Sequence, residues 1–286
     1  MKIKPIIIVS GEPKSIFFEI FFKSLKLYKS RSPLILISSK KVLKSQMRKL
    51  RFDKKLNLID YKNLDKLRIN NNAINLIDID LDIKKTHIFI KKCFDIAFEI
   101  INSNLTNKFI NGPINKSKFL NKKYLGITEY ISKKFRIKKN AMLIYNKDLS
   151  VCPITTHLPI KLVSKKISQN LIKEKVKLIN NFYKKNMGFK PRIGVAGLNP
   201  HCESILKLNE DIKIVSPAIK NLKKKGFKIY GPFPTDTLFL KQNRTKYNVI
   251  LGMYHDQVLT PLKTLKEYDA INITLGLPFY RISPDH

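Results

Sequence analysis

The stretch N-V-I-L-G-M-Y-H-D-Q, residues 248–257, shows the pattern that decides the fold class of this chain. A short apolar run typical of a buried strand, residues 248–252, is followed at once by a polar segment that contains His255. The runs at residues 5–9 and 192–196 also lead into polar turns, and longer helical patterns separate the strands. Strands alternating with helices predict an α/β fold with a mainly parallel sheet, which binds ligands beyond the carboxyl ends of its strands.

Short apolar runs and longer amphipathic patterns continue along the rest of the chain. Further strands are predicted at residues 34–38, 108–110, 142–145, 149–154 and 270–274. Helices are predicted at residues 15–27, 87–101, 162–183 and 212–225. At roughly 150 residues per domain, the length of 286 residues predicts about two domains.

The composition is that of a folded protein with a basic surface. The hydrophobic fraction of 43% excludes a chain that is disordered throughout, and no apolar run reaches the roughly 18 residues of a membrane span. The net charge of +35 comes from lysines spread along the chain with many Ile and Asn residues, so we interpret it as a composition bias rather than a specific nucleic-acid interface. Cys93, Cys152 and Cys202 are scattered, which favours a reduced, cytoplasmic compartment.

Histidines follow several of the predicted strands in polar segments: His157, His201 and His255. Imidazoles at strand ends could converge on one divalent cation and leave positions open for a substrate. The alternative for each histidine alone is an ordinary hydrogen-bonded loop residue. His87 opens a predicted helix and is interpreted as a surface or capping residue.

Candidate anion-binding and acid–base residues lie in other segments. Arg281 and Lys263 suit phosphate, although Lys263 could equally lie on a solvated helix face, and Asn272 lies in a β-type run where its amide needs partners. The turn N-G-P-I-N-K, residues 111–116, is either an anion site or an ordinary turn. Asp236 either caps a helix or orients a ligand or base.

Nucleotide and hydrolase signatures are missing from the sequence. There is no G-x-G-x-x-G after the first strand, no G-x-x-x-x-G-K-[ST] and no G-x-S-x-G. The sequence therefore does not support a Rossmann or P-loop nucleotide site, or a serine hydrolase nucleophile elbow.

Several segments, read in order, resemble the family of 4-hydroxythreonine-4-phosphate dehydrogenases of pyridoxal 5′-phosphate (vitamin B6) biosynthesis. The segments are N-G-P-I-N-K (111–116), G-I-T-E-Y (126–130), T-T-H-L-P (155–159), G-L-N-P-H (197–201), G-P-F-P-T-D-T-L-F (231–239), M-Y-H-D-Q (253–257) and N-I-T-L-G-L-P-F-Y-R-I-S-P-D-H (272–286). The resemblance covers most of the chain from residue 111 onward and is looser before it.

This resemblance implies a two-domain α/β fold like that of isocitrate and isopropylmalate dehydrogenases, with the active site in the interdomain cleft of a homodimer. The first domain is expected to contain residues 1–125 with a C-terminal segment of about 255–286. The second, about 126–254, is expected to carry the dimer interface. The chain stops inside a motif, so we expect that it is truncated at its C-terminus.

The resemblance also implies an activity. The enzyme is expected to oxidise 4-phosphohydroxy-L-threonine at its C3 hydroxyl with NAD, or NADP, as the hydride acceptor. Decarboxylation would then give 3-amino-2-oxopropyl phosphate. A bound divalent metal, Zn, Co, Mn or Mg, is expected to assist both steps.

Site residues follow from the matching motif positions. The implied metal ligands, supplied from both protomers, are His157, His201 and His255. The implied substrate-binding residues are Thr128, Lys263, Asn272 and Arg281. Asp236 matches a polar residue of the same cleft, and the candidates for the general base are Asp236, Lys263 and, more weakly, Asp256. No motif identifies the residues that bind the cofactor.

The sequence departs from the family at two informative positions. Ile127 stands where the family motif G-H-T-E has histidine, and isoleucine cannot hydrogen-bond a substrate. The N-terminal turn, residues 11–19, lacks the inner glycines of the family pattern. A relative that acts on another phosphorylated hydroxy acid, phosphothreonate or phosphoerythronate, is therefore an alternative. A basic nucleic-acid-binding protein on a degenerate enzyme scaffold is a more remote one.

Overall fold

The computed structural model describes residues 3–63, 69–115, 119, 124, 126–202 and 209–284 of the chain. The strands are β1 (Ile6–Val9), β2 (Leu34–Ser38), β3 (Leu56–Leu58), β4 (Ile74–Asp78), β5 (Lys108–Asn111), β6 (Ala141–Tyr145), β7 (Ser150–Pro153), β8 (Ile193–Ala196), β9 (Ile229–Phe233), β10 (Val249–Gly252), β11 (Ile271–Leu275) and β12 (Tyr280–Pro284). The α-helices are α1 (Phe17–Leu27), α2 (Lys40–Lys49), α3 (Thr86–Asn102), α4 (Ile127–Lys134), α5 (Val163–Lys166), α6 (Gln169–Met187), α7 (Ser216–Lys224), α8 (Thr235–Leu238), α9 (Lys241–Arg244) and α10 (His255–Lys266). Short 3-10 turns span Ile83–Lys85, Ile160–Leu162 and Pro200–Cys202, and a π-helical turn spans Asp211–Val215.

The chain divides into two compact units. The first contains residues 1–127 and 278–284, and the second contains residues 128–277. The segment 255–277 thus groups with the second unit, whereas the predicted domain boundaries place it in the first. The dimer interface expected within residues 126–254 stays a prediction.

The first unit is built on a parallel sheet with the strand order β3-β4-β2-β1-β5-β12. Helix α1 packs on this sheet because its phenylalanines fall on one face, with Phe18 and Phe22 buried one turn apart. Their partners include Leu36 of β2 and Leu76 of β4. This core positions the turns that follow β1 and β5.

The second unit has a mixed sheet with the strand order β11-β6-β7-β10-β8-β9. Strand β10 is parallel to both β7 and β8, and β9 is parallel to β8. Strand β6 is antiparallel to both β11 and β7. Helix α10 packs against β7 and β10 through residues that include Val258 and Leu262. The carboxyl ends of the parallel strands therefore meet at one edge of this sheet, where polar loops follow.

The elements predicted from local patterns are largely confirmed, but one helix is divided. The apolar spacing predicts a continuous helix over residues 162–183, whereas α5 ends at Lys166 and α6 begins at Gln169. Ser168 separates them, because its extended backbone and its side chain cap the new helix by accepting a hydrogen bond from the Leu171 amide at 3.2 Å. Helices α2, α4, α8, α9 and α10 and strands β3, β4, β9 and β12 were not predicted.

The side chains of Cys93 and Cys152 are buried. Burial raises the pKa of the Cys152 thiol to about 12 and also raises that of Cys93, so both thiols are protonated at neutral pH. Among the described residues, none of the helices combines the length and apolarity that a bilayer crossing requires.

Candidate functional site

Loops that follow neighbouring parallel strands of the second unit carry most of the predicted site residues. His157 follows β7, His255 begins α10 directly after β10, His201 follows β8, and Asp236 follows β9. Because these strands run in the same direction, the loops lie along one edge of the sheet. This edge is the candidate site of the second unit.

Two of the three predicted metal ligands lie side by side. The ring centroids of His157 and His255 are 6.0 Å apart, and their ring planes are inclined by 37°. Metal–nitrogen distances of roughly 2.0–2.1 Å put the centroids of two imidazoles on one tetrahedral ion roughly 5–6 Å apart. The pair is therefore spaced to bind one cation after a small adjustment. The donor chemistry fits Zn²⁺ or Co²⁺ better than Mg²⁺.

A carboxylate that was not singled out from the sequence lies beside His157. The Oε1 atom of Glu129 is 3.8 Å from His157 Nδ1, too far for a hydrogen bond, and none of the described residues forms a hydrogen bond with this buried Nδ1 atom. Burial raises the pKa of the Glu129 carboxyl, but the His157 imidazole, the Glu129 backbone amide and the Thr156 hydroxyl together hold that pKa below its ordinary value. Glu129 is therefore ionised at neutral pH and places a negative charge beside the His157 ring.

His255 has a different carboxylate partner. Its Nδ1 atom lies 2.7 Å from Oδ1 of the exposed Asp256. Because a carboxylate oxygen accepts hydrogen bonds, Nδ1 is the donor in this contact, and Nε2 is the ring nitrogen that remains for a metal. This arrangement leaves Nε2 free to bind a metal, although Asp256 is then engaged with His255 rather than available as a base.

The third predicted ligand, His201, is exposed in the turn Pro200–Cys202 with a left-handed backbone, φ 57°. Among the described residues, no three His, Cys, Asp or Glu side chains form a group that could hold a metal ion. A buried carboxylate, Asp211, anchors the start of this loop by accepting hydrogen bonds from the backbone amides of Leu198, at 2.7 Å, and Asn199, at 2.9 Å. The loop conformation is thus fixed from within the second unit.

The predicted catalytic residues Asp236 and Lys263 lie on separate helices. Asp236 is exposed in the first turn of α8 and accepts a hydrogen bond from the Thr237 amide at 2.8 Å, but the N-cap of this helix is Pro234, so Asp236 is not its capping residue. Lys263 lies on α10 with its Nζ 5.7 Å from the centroid of the Tyr268 ring. Neither contact assigns the general base, so both catalytic roles stay predictions.

Two predicted substrate-binding residues are largely buried. Thr128 is 6% exposed in the first turn of α4. The Oδ1 atom of Asn272 on β11 is buried and has no hydrogen-bond partner in the part of the chain that the structure describes. Leaving a buried acceptor unpaired costs about 1–3 kcal/mol, so the Asn272 side chain suits a ligand that donates a hydrogen bond.

The first unit contains Arg281, which is buried at 1% exposure on β12. Its Nε donates a hydrogen bond of 2.8 Å to Oδ1 of Asn111, so the N-G-P turn and Arg281 form one cluster. A glycine is required at position 112 because the backbone of Ser10 approaches it closely. A Cβ atom at this position would lie 2.4 Å from the Ser10 carbonyl oxygen. Lys116, the proposed cation of the turn, lies outside the described residues, as does His286.

Sequence patterns left several supporting side chains unassigned. Glu129 and Asn111 contact the predicted site residues His157 and Arg281 only after folding, because these partners are distant in the chain, and Asp211 fixes the loop before His201. Gln257 lies in the M-Y-H-D-Q segment, whose sequence gives no sign of its distant partners. An acidic residue directly after Thr128 was the available signal for Glu129.

Comparisons with known proteins agree with this geometry. The family model of the pyridoxal phosphate biosynthetic protein PdxA matches residues 29–286. The 4-hydroxythreonine-4-phosphate dehydrogenase of Sulfurihydrogenibium sp. (strain YO3AOP1) is 37% identical over 290 residues, which cover 98% of this chain and 88% of that protein. The D-threonate 4-phosphate dehydrogenase of Pectobacterium atrosepticum is 36% identical over 199 residues, which cover 68% of this chain and 61% of that protein.

A solved structure extends the similarity to the fold. The 4-hydroxythreonine-4-phosphate dehydrogenase of Klebsiella pneumoniae has a TM-score of 0.82 and 30% sequence identity, with 100% of this chain and 90% of that chain covered. The prediction of an isocitrate/isopropylmalate dehydrogenase-like α/β fold is thereby confirmed.

Proposed function

Since the chain belongs to the family of the pyridoxal phosphate biosynthetic protein PdxA, we propose that it oxidises 4-phosphohydroxy-L-threonine at the C3 hydroxyl in vitamin B6 biosynthesis. The hydride from C3 passes to NAD, or NADP, and the hydroxyl proton passes to a base, which leaves a β-keto acid. The bond to the carboxylate carbon then breaks, CO₂ leaves and a proton is added at C2. The product is 3-amino-2-oxopropyl phosphate.

The His157–His255 pair at the ends of β7 and β10 is the observation that carries this proposal. The 6.0 Å spacing of the rings and the contact of His255 Nδ1 with Asp256, which leaves Nε2 of His255 for a metal, suit a divalent cation. His201 is proposed as the third ligand, in a set shared between the two copies of a homodimer. When bound, the cation would stabilise negative charge on the oxygen at C3, and the nicotinamide would accept the hydride.

Substrate binding is assigned to residues whose chemistry matches a small phosphorylated amino acid. Arg281 and Lys263 are proposed to hold its anionic groups, by a planar guanidinium fork and by a point charge respectively. Asn272 is proposed to accept a hydrogen bond through its unpartnered Oδ1, and Thr128 to add a hydroxyl contact. Asp236 and Lys263 stay the candidates for the proton acceptor at the C3 hydroxyl. A cytoplasmic location is part of the proposal.

The test is NADH formation from 4-phosphohydroxy-L-threonine by the purified protein before and after chelation. We expect activity that disappears with a chelator and returns when Zn²⁺, Co²⁺ or Mn²⁺ is added. Repeating the assay with NADP in place of NAD, and comparing the two rates, decides which cofactor the enzyme uses. Activity that survives exhaustive chelation would exclude a catalytic cation, and absence of activity with every metal would contradict the proposed substrate.

Oxidation of D-threonate 4-phosphate is a second candidate function. It is favoured by Ile127, the half-buried first residue of α4, which cannot hydrogen-bond a phosphorylated substrate beside Thr128. The similarity to a relative with that named activity supports it too. Parallel rates on both substrates separate the two candidates.

Replacing Ile127 with histidine is expected to lower KM for 4-phosphohydroxy-L-threonine by about tenfold or more, because a hydrogen bond to a charged group contributes about 1.5–3 kcal/mol. Steady-state kinetics with both substrates measure the change. Ile88→His, at an exposed position on α3, is the matched control and should leave KM unchanged. An unchanged KM in Ile127→His would show that this position does not contact the substrate.

A further inference from the structure

We infer that Gln257 is a positioning residue that fixes three site loops of the second unit relative to one another. The side chain is 8% exposed and lies in the first turn of α10, two residues after His255. Its role in the reaction rests on the proposed function, whereas its hold on the loops is a property of the fold.

The Gln257 amide bonds to three different loops. Its Nε2 donates to the Gly197 carbonyl oxygen at 2.6 Å and to the Thr235 hydroxyl at 3.0 Å. Its Oε1 accepts from the Met253 amide at 2.6 Å. These contacts reach the loop that carries His201, the turn that carries Asp236 and the turn that leads into His255.

A fourth loop is connected through Met253. The Thr155 hydroxyl donates to the Met253 carbonyl oxygen at 2.7 Å, and the Thr155 amide lies 3.2 Å from the same atom. Thr155 is two residues before His157. Through Met253, Gln257 therefore acts on both members of the His157–His255 pair.

Only an amide side chain of this length makes all of these bonds. Both Nε2 hydrogens and the Oε1 acceptor are used, which fixes the orientation of the amide. A glutamate would keep the acceptor for the Met253 amide and would accept a hydrogen bond from the Thr235 hydroxyl instead of donating one, but its second oxygen would repel the Gly197 carbonyl. A methionine has a similar volume and makes none of the bonds, so it leaves buried partner groups unsatisfied.

Hydrogen–deuterium exchange of the metal-free protein is the first test. We expect Gln257→Met to raise exchange rates about tenfold or more in residues 197–202, 234–237 and 253–255 together, because local opening controls these rates. We expect Gln257→Glu to raise them mainly in residues 197–202. Tyr183→Phe is the matched control, because it removes one buried hydrogen bond, to Ser150 at 2.9 Å, from the other end of β7. It should leave all three segments unchanged.

Cobalt binding is the second test and separates positioning from stability. We expect Gln257→Met to weaken Co²⁺ binding by about 10- to 100-fold, as is typical when a supporting partner of a metal ligand is lost, and to change the visible Co²⁺ spectrum. Tyr183→Phe should bind Co²⁺ as the wild type does.

The outcomes decide the inference separately from the proposed function. If the exchange rates of the three segments do not rise in Gln257→Met, or rise equally throughout the chain, Gln257 does not hold these loops. If the loops open but Co²⁺ affinity and spectrum are unchanged, it does not position the ligands. If the wild type binds no Co²⁺, the metal part of the proposed function is wrong, and the exchange pattern alone decides whether Gln257 holds the loops.

Discussion

Replacing His157 with alanine is expected to lower kcat/KM for the phosphorylated substrate by about a thousandfold, since a catalytic cation supplies several kcal/mol of charge stabilisation and each 1.4 kcal/mol is a factor of about ten. The side chain is one half of the imidazole pair, and its buried Nδ1 forms no hydrogen bond with the described residues. Its loss should therefore remove metal binding more than it destabilises the fold. Steady-state kinetics and Co²⁺ titration of the same preparation measure both effects.

His87→Ala is the control for this experiment. His87 is exposed near the start of α3 in the first unit, so its replacement should change neither kinetics nor Co²⁺ binding. A His157→Ala variant that stays within tenfold of the wild type and binds Co²⁺ normally would place the cation elsewhere. Normal Co²⁺ binding with lost activity would instead assign His157 a role at the substrate.

The second large effect is expected at Arg281. Arg281→Met should lower kcat/KM by about a hundred- to a thousandfold, mainly through KM, because truncation of a buried charged hydrogen-bonding group costs about 2–5 kcal/mol. The Nε contact with Asn111 fixes the plane of the guanidinium, which lysine cannot reproduce. Steady-state kinetics of the variant with the phosphorylated substrate measure the change.

Stability must be followed in the Arg281 series because the side chain is 1% exposed. Arg281→Lys keeps the charge and should unfold near the wild-type temperature while KM still rises about tenfold. Arg192→Met, at an exposed position before β8, is the matched control and should leave KM unchanged. An Arg281→Lys variant with wild-type KM would remove this residue from the substrate site.

Local patterns were enough to predict the strands that precede the candidate histidines. A buried strand, a polar turn and a histidine follow one another within a few residues at β7, β8 and β10. The structure confirms these three strands. The pairing of His157 with His255 is not local, because it depends on β7 and β10 being neighbours in the sheet. Sequence alone therefore predicted the candidates but not which two would be adjacent.

The contacts that support the site residues could not be predicted from local sequence patterns. The bond between Asn111 and Arg281 joins residues 170 positions apart, and the bond between Gln257 and Gly197 joins residues 60 apart. No periodicity records such contacts. The divided helix at Ser168 is different, since a serine at the start of an amphipathic run is a recognisable cap, but the apolar spacing continued across it.

The discontinuous first unit also constrains how the protein is made. Strand β12, which pairs with β5 and carries Arg281, is translated long after the rest of its sheet. At about 5–20 residues per second, a separation of 170 residues means a delay of roughly 10–30 s between Asn111 and Arg281 on the ribosome. During that interval the nascent first unit exposes one edge of β5 without its strand partner. We therefore expect chaperones to associate with the nascent chain during this interval.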